Sequence, residues 1–346
     1  MPDRAMSDVL GAGKLPGALL GQLLHGLANT DDSILVGPGV GRDAAAVRIG
    51  NAILVLKTDP ITFASTGAAR YLVSINSNDL ACLGATPKWI LVTGMFPLGT
   101  TRAEIEEMFS ELATVTEQNG ITLVGGHTEI TSAVNRPVLV GMLAGETTEE
   151  RLLRPGGAQA GDLLVVSRPI SIEGTALLAE ELGDRLAPLV GTELLDRCRR
   201  LIDSPGLSVA PDARIAFDAA EIHAMHDPTE GGIAMGAREI AEASGLSAQI
   251  HLDRIPIMPE TSAIAEALEI DPLGMLASGS LLVAVPKPSA RTLLNAWEVA
   301  GAAPAVIGRL IASTDDHQLI DGLETRSLPN FVQDEVSRAL STNRDS

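Results

Sequence analysis

One stretch limits what this chain can fold into: Arg70 to Pro87, RYLVSINSNDLACLGATP. Its apolar residues Tyr71, Leu72, Val73, Ile75, Leu80, Ala81, Cys82 and Leu83 point in almost every helical direction, the pattern of a helix enclosed on all sides. Such a helix needs structure all round it. Yet Asn76, Asn78 and Asp79 occupy its middle. Asn76 and Asp79 are three apart and share a side; a carboxylate buried there needs a cation, a set of donors or a proton. That side is read as facing a bound metal and a polyanion. The plainer alternative has Asp79 capping a neighbouring loop.

With 346 residues, 45% of them hydrophobic, the chain can bury a large core and divide into two domains. A formal charge of −19 and 2% aromatic content argue against nucleic acid or an anionic membrane as partner, since both need basic faces and the first also needs stacking platforms. No apolar run reaches the roughly 18 residues of a membrane span, and no leader pattern opens the chain. Cys82 and Cys198, the two cysteines, both sit in apolar helical contexts, which excludes a disulfide framework or a cysteine zinc site. The expectation is a cytoplasmic protein.

Taken in order, GAGKLP (Gly11 to Pro16) places a mobile cation, Lys14, ahead of a leucine-rich helix. GPGVGRDAAAVRI (Gly37 to Ile49) follows, and its alternate glycines suit close approach to a ligand before a strand. Ala52 to Thr58 reads as a buried strand that Thr58 and Asp59 end and Pro60 stops. After the enclosed helix come a strand from Trp89 to Met95, a helix to Gln118 opened by a Thr101–Glu104 capping box, and a short strand from Ile121 to Val124. GGHTEIT (Gly125 to Thr131) is expected at the end of that strand. Val138 to Ala144 is another strand, and the mixed order predicts an α+β fold.

The Arg154–Gly161 composition break sets a boundary near residue 153, giving domains 1–153 and 154–346. In the second half, Leu163 to Ser167 is a strand, IEGT (Ile172 to Thr175) a turn, and helical segments reach about Ile202. HDPTEGGI (His226 to Ile233) opens a helix that Asp227 and Thr229 can cap, with Gly231 and Gly232 suited to an anion. A helix from Ile255, strands Leu281 to Val285 and Val306 to Leu310, and a frayed end beyond Val336 complete the expectation.

Asp43, Asp59 and Asp79, with GGHTE, offer hard oxygen ligands on separate elements, which suits magnesium on a polyphosphate. No Walker A loop occurs, the glycines do not make a dinucleotide fingerprint, and neither H-E-x-x-H nor G-x-S-x-G is present. GVGRDAAAV, TDP, NDLACLGATP, GGHTE and HDPTEGG together resemble, in the same order, motifs of the AIR synthase-like superfamily, which includes selenophosphate synthetase, thiamine monophosphate kinase and the hydrogenase maturation protein HypE. The resemblance spans nearly the whole chain and is nearest in pattern to HypE.

That resemblance implies a two-domain fold: an N-terminal β-rich α/β domain that pairs with its twin as a homodimer, and a C-terminal α/β domain closing over the phosphates. It implies ATP and Mg2+ as cofactors, with Asp43, Asp59 and Asp79 holding magnesium and Gly125, Gly126 and Thr128 along the nucleotide. Gly39, Gly41, Arg42, Thr58, Asn78, His127, Gly231 and Gly232 complete the expected nucleotide lining. Lys14, Asp227 and Thr229 are the candidate catalytic groups at the entrance. Arg42 replaces an acid of the family pattern and so offers a phosphate contact; His127 replaces another, leaving Glu129 as a substitute metal ligand. HypE's terminal cysteine has no counterpart in STNRDS, so the acceptor is expected from outside, as a small molecule or a partner protein's tail. The implied activity is phosphoryl transfer to an amide or carboxyl-type oxygen, as in hydrogenase maturation. A small-molecule kinase and a non-catalytic nucleotide-binding partner are the alternatives.

Overall fold

The computed structural model describes residues 10, 15, 17–25, 31–39, 41–62, 67–314 and 316–342. Lys14 lies outside them. After helix α1 (Gly17–His25), strands β1 (Ile34–Val36), β2 (Ala45–Ile49) and β3 (Ala52–Ile61) lead to α2 (Ala68–Cys82), the enclosed helix. Every residue of α2 except Arg70 and Ile75 is buried, with Asn76, Asn78 and Asp79 included. Strand β4 (Thr86–Phe96), α3 (Arg102–Gln118), β5 (Thr122–Ile130) and β6 (Val138–Thr147) complete a six-stranded sheet of order β1-β2-β3-β6-β4-β5. Only β4 and β5 run parallel, because α3 carries the chain across between them. Thr101 and Glu104 form the expected capping box on α3. Helix α2 packs on β3 and β6 with α3 beside it.

Two strands run further than expected. β3 continues through Pro60 to Ile61, paired with β6, whereas its pairing with β2 ends at Leu56. A proline with a partner on one side only can turn its missing donor to the open side. β5 continues through GGHTEI, so these residues are strand and not a loop after it. Gly126 shows why glycine stands there: at φ 152° its backbone lies so close to β4 that a Cβ would meet the Val92 carbonyl oxygen at 1.8 Å. The neighbour is the chain itself.

The second half comprises β7 (Leu163–Val166), α4 (Ile172–Glu181), α5 (Gly183–Val190), α6 (Thr192–Arg200), α7 (Ala210–Ala219), β8 (Ala224–His226), α8 (Gly232–Ala243), β9 (Leu246–His251), α9 (Pro259–Leu268), β10 (Leu282–Val285), α10 (Lys287–Val299), β11 (Ala305–Ala312), β12 (Gln318–Asp321), β13 (Glu324–Ser327) and α11 (Glu335–Thr342). Its sheet has the order β13-β12-β9-β11-β7-β10-β8. The α+β expectation holds. IEGT is the first turn of α4 rather than a loop, the hairpin β12–β13 turns at Gly322, and α11 replaces the expected frayed end by burying Val336 and Ala339.

The two halves meet on α2. Ala81 and Cys82 pack among Val165, Val209 and Leu281, while Ile172, Ala176 and Leu207 join the core around Leu72 and Leu80. A mid-helix asparagine fastens the seam: Asn78 Nδ2 donates to the Leu207 carbonyl at 2.9 Å, and its Oδ1 accepts from Val209 N at 2.8 Å. With both ends of its amide engaged, Asn78 joins the halves.

Candidate active site

Alternation along β3 sends Lys57 and Asp59 to the α2 face and leaves Thr58 exposed on the opposite face. Lys57 Nζ lies 2.7 Å from Asp79 Oδ2 and 3.5 Å from Asp59 Oδ2, with a side chain only 10% exposed. Thr58 is therefore separated from the two residues it neighbours in sequence. Asp43 reaches the same region from the loop before β2, and the second half contributes His226 and Asp227 from the end of β8. Cys82 Sγ donates to Asp227 Oδ1 at 3.7 Å, and His226 Nε2 pairs with Glu239 on α8. Asp43, Asp79, Asp227, His226 and Glu239 line a cavity of about 60 Å3 between the halves.

Burial opposes the charge on Lys57, but Asp79, Asp59 and Asp43 outweigh it and keep the amine protonated far above the lysine range. Burial pushes Asp79 up to about 6; Lys57 pulls it back, and Asp43 and Asp59 add to the rise. Asp227, buried against Asp79, is pushed well above the usual carboxylate range, against the pull of His226. For His226, burial works downward, but the Glu239 hydrogen bond and charge lift it to about 9, so it is a cation at neutral pH. Burial, with the charges of Asp227 and Asp79, holds Cys82 as a thiol. The cluster thus combines four aspartates with two cations.

The turn from His226 to Gly232 has a second side. Thr229 Oγ1 donates to Glu230, and the Gly231 N–H donates to Asp334 Oδ2 at 2.8 Å. Helix α8 begins at Gly231 with no side-chain cap, so Asp227 and Thr229 do not cap it. Gly232 is needed for the chain's own backbone: a Cβ there would meet the Leu273 and Met275 carbonyl oxygens at 2.5 and 2.6 Å. The expected anion position at Gly231 and Gly232 is thus filled by Asp334 and the 273–275 segment. Glu173 on α4 lies nearby and is raised to about 7 by burial, with Glu230 and Asp334 adding to the rise.

Among the described residues, the buried side-chain polar atoms lacking a hydrogen bond are Asn76 Oδ1, Ser77 Oγ, Asp79 Oδ2, Glu173 Oε2, Asp227 Oδ2 and Ser278 Oγ; Asp79 Oδ2 still has its ion pair. All six belong to α2, the start of α4, the β8–α8 turn or the loop before β10. Unsatisfied polar atoms are costly, and their confinement to these four elements marks where a polar ligand would complete the structure. The oxygen-only donors suit magnesium in kind. No three His, Cys, Asp or Glu side chains among the described residues are arranged to hold one metal ion. The fit is therefore to a cation that arrives with phosphate oxygens and water, not to a preformed cage.

GGHTE is elsewhere. β6 and β4 separate β5 from β3, and all of β5 is exposed. His127 Nε2 lies 3.3 Å from Glu129 Oε2 in the open. Gly125, Gly126, His127, Thr128 and Glu129 thus do not join the aspartates within one chain. Arg42 folds over its own loop, with Nη1 donating to the Gly37 carbonyl at 3.4 Å and its stem against Gly39, where a Cβ would lie 2.8 Å from Arg42 Cδ. Gly41, at φ 69°, lines the cavity. Lys57, Glu173 and Ser278 were not foreseen; a lysine inside the apolar strand AILVLK was the available signal for the first.

The two-domain α+β fold is shared with known proteins. Residues 41–147 match the family model of the AIR synthase related protein N-terminal domain, and residues 159–319 match that of its C-terminal domain. The chain belongs to the AIR synthase related proteins. It is 27% identical over 318 residues to the carbamoyl dehydratase HypE of Rhizobium leguminosarum bv. viciae, covering 88% of this chain and 86% of that one. A crystal structure of the hydrogenase maturation protein HypE in complex with ATP superposes with a TM-score of 0.70 at 19% identity, covering 93% of this chain and 91% of the other. Thiamine monophosphate kinase from Aquifex aeolicus gives a TM-score of 0.66 at 18% identity, covering 89% and 97%.

Proposed function

We propose that the chain is an ATP- and magnesium-dependent enzyme that activates an amide or carboxyl-type oxygen of an acceptor by phosphoryl transfer. The observation that carries this reading is the gathering of Asp43, Asp59, Asp79 and Asp227 from both halves around the buried Lys57 ammonium. Phosphoryl transfer needs positioning and charge neutralisation more than covalent chemistry from the protein. The acceptor oxygen bonds to the γ-phosphorus as the bond to the β,γ-bridging oxygen breaks, and ADP leaves. Asp43, Asp59, Asp79 and Asp227 would hold the magnesium, which neutralises phosphate charge. His226 and Lys57 keep the aspartates in place between turnovers. The relative named carbamoyl dehydratase and the ATP complex of HypE support this choice of chemistry. Cys82 and Cys198 are both buried, so neither serves as a thiol carrier for the acceptor, which enters as a small molecule or another protein's tail. The hydrogenase maturation role of the relatives is the biological setting proposed, in the cytoplasm; no helix among the described residues is long and apolar enough to cross a membrane.

The working form proposed is a homodimer joined through residues before the boundary near 153. Exposed Leu123, Val124 and Ile130 on edge strand β5, with Trp89 and Leu91 on β4, support it, since a long apolar edge left unpaired invites association. Pairing there gives GGHTE, including Glu129 as a further metal ligand, its route to the nucleotide. A small-molecule kinase is the second reading, favoured by the fold shared with thiamine monophosphate kinase. ADP release measured against amides, carboxylates, phosphorylated cofactors and carbamoylated cysteine peptides tests both. Stimulation by an amide or carboxylate is expected, stimulation by an alcohol or phosphate acceptor selects the kinase, and nucleotide binding without stimulation by any acceptor overturns both in favour of a nucleotide-responsive partner.

A further inference from the structure

Lys57 stands where a metal ion would be expected. The aspartates on four separate elements make an oxygen-rich pocket with an excess of negative charge, and burial makes that excess costly. A bound cation is one remedy; a tethered one is another. The Lys57 ammonium lies 2.7 Å from Asp79 Oδ2 and 3.5 Å from Asp59 Oδ2, so one tethered charge is paired with both carboxylates. Lysine presents a compact point charge at the end of a long stem, whereas arginine presents a planar fork. The stem here runs from an apolar strand, so the charge is delivered to the carboxylates without opening the pocket to water. Asp227 Oδ2 remains buried and without a hydrogen bond, which leaves the half of the cluster contributed by the second domain open to a further cation.

We propose that Lys57 takes the place of a divalent cation between Asp59 and Asp79 while nucleotide is absent, so that this part of the cluster takes up no free metal and magnesium enters only with the nucleotide. The magnesium part of this rests on the proposed function; the substitution of lysine for a cation does not, because it can be read without nucleotide. A strand lysine that neutralises the cluster also makes the empty site stable, so closure of the two halves need not wait for metal.

The test is Mn2+ binding to the nucleotide-free full chain, followed by the electron paramagnetic resonance signal of free Mn2+, with thermal melts of the same samples. Wild type is expected to bind Mn2+ weakly and to melt at the same temperature with and without it. Lys57→Gln should bind Mn2+ on the order of a hundredfold more tightly, because a repelling charge within a few ångströms has been removed, and its lowered melting temperature should recover when Mn2+ is added. Lys57→Arg, which keeps the charge, should bind Mn2+ as weakly as wild type. Wild type binding Mn2+ as tightly as Lys57→Gln would overturn the proposal, as would a Lys57→Gln protein whose fold and affinity ignore Mn2+. Mg-ATP added in a second titration reports separately on the proposed function: wild type failing to bind it would refute that reading while leaving the Mn2+ comparison decisive for Lys57.

Discussion

Asp79 and Glu129 are both carboxylates expected at the nucleotide, and the fold gives them opposite surroundings. Asp79 is buried in α2, paired with Lys57 and pressed toward Asp227. Glu129 stands exposed on an edge strand with His127 3.3 Å away. The first sits among buried groups, Lys57, Cys82, His226 and Asp227, whose protonation is displaced by burial and by one another's charge. The second sits in water, where an ion pair contributes little. What distinguishes them is desolvation: the buried cluster is a site within one chain, whereas GGHTE can become part of one only when another surface covers it.

The largest effect that would sharpen this contrast is on stability. Lys57→Met strands Asp79 among carboxylates, and urea unfolding without metal should show a loss of about 3–5 kcal/mol, the usual result of removing one partner of a buried pair. A loss below about 1 kcal/mol, the scale of an exposed pair, would put the two regions on the same footing.

Glu173 offers the matching case of a buried carboxylate with no lysine beside it. Its pKa is about 7 in the folded protein against an ordinary 4.5, so the native state holds the proton more tightly than the unfolded chain. The group therefore reduces stability progressively as pH rises from 4.5 to about 7, and the penalty is then constant. Glu173→Gln should gain stability over wild type at pH 8, by a few kcal/mol at most at about 1.4 kcal/mol per unit, and none at pH 4. Parallel stability curves for the two proteins across that range would contradict the assignment.

Gly126→Ala probes the exposed strand from its backbone. A side chain at φ 152° against the Val92 carbonyl should cost roughly 1–3 kcal/mol and loosen β5, read as faster amide exchange confined to β4 and β5. Exchange that rises equally in α2 would mean the strand is not an independent edge. Smallest of all, Glu129→Gln should leave unfolding stability within about 0.5 kcal/mol. If the homodimer proposal holds, it should nonetheless weaken Mg-ATP binding in the dimer; unchanged binding would remove Glu129 from the site.

The enclosed helix was legible because periodicity carries burial directly: residues apolar all round, with Asn76, Asn78 and Asp79 among them, predict a core helix with a polar purpose. The capping box at Thr101 and the family motifs were legible for the same local reason. Pro60 and GGHTE misled, because a turn-forming residue was allowed to end a strand whose edges, unknown from sequence, decide whether it can continue. Gly231 and Gly232 misled in another way. Glycines permit close approach, and sequence does not say whether ligand or chain approaches; here Asp334 and the 273–275 backbone do. Lys57 stayed hidden behind the TDP motif that follows it, although the alternation that separates it from Thr58 was there to be used. Glu173 and Ser278 have no sequence signal, since their meeting depends on how α4 and the loop before β10 are brought together.

The central claim is that the Asp79 cluster receives the phosphates and their metal. Isothermal titration calorimetry of a non-hydrolysable ATP analogue with magnesium, on wild type and on Asp79→Asn shown by circular dichroism to be folded, tests it most directly. The account predicts an affinity loss of at least about a hundredfold, the lower end of what breaking a buried charge contact causes. Equal affinities in the two proteins would contradict it and leave Asp79 a structural partner of Lys57.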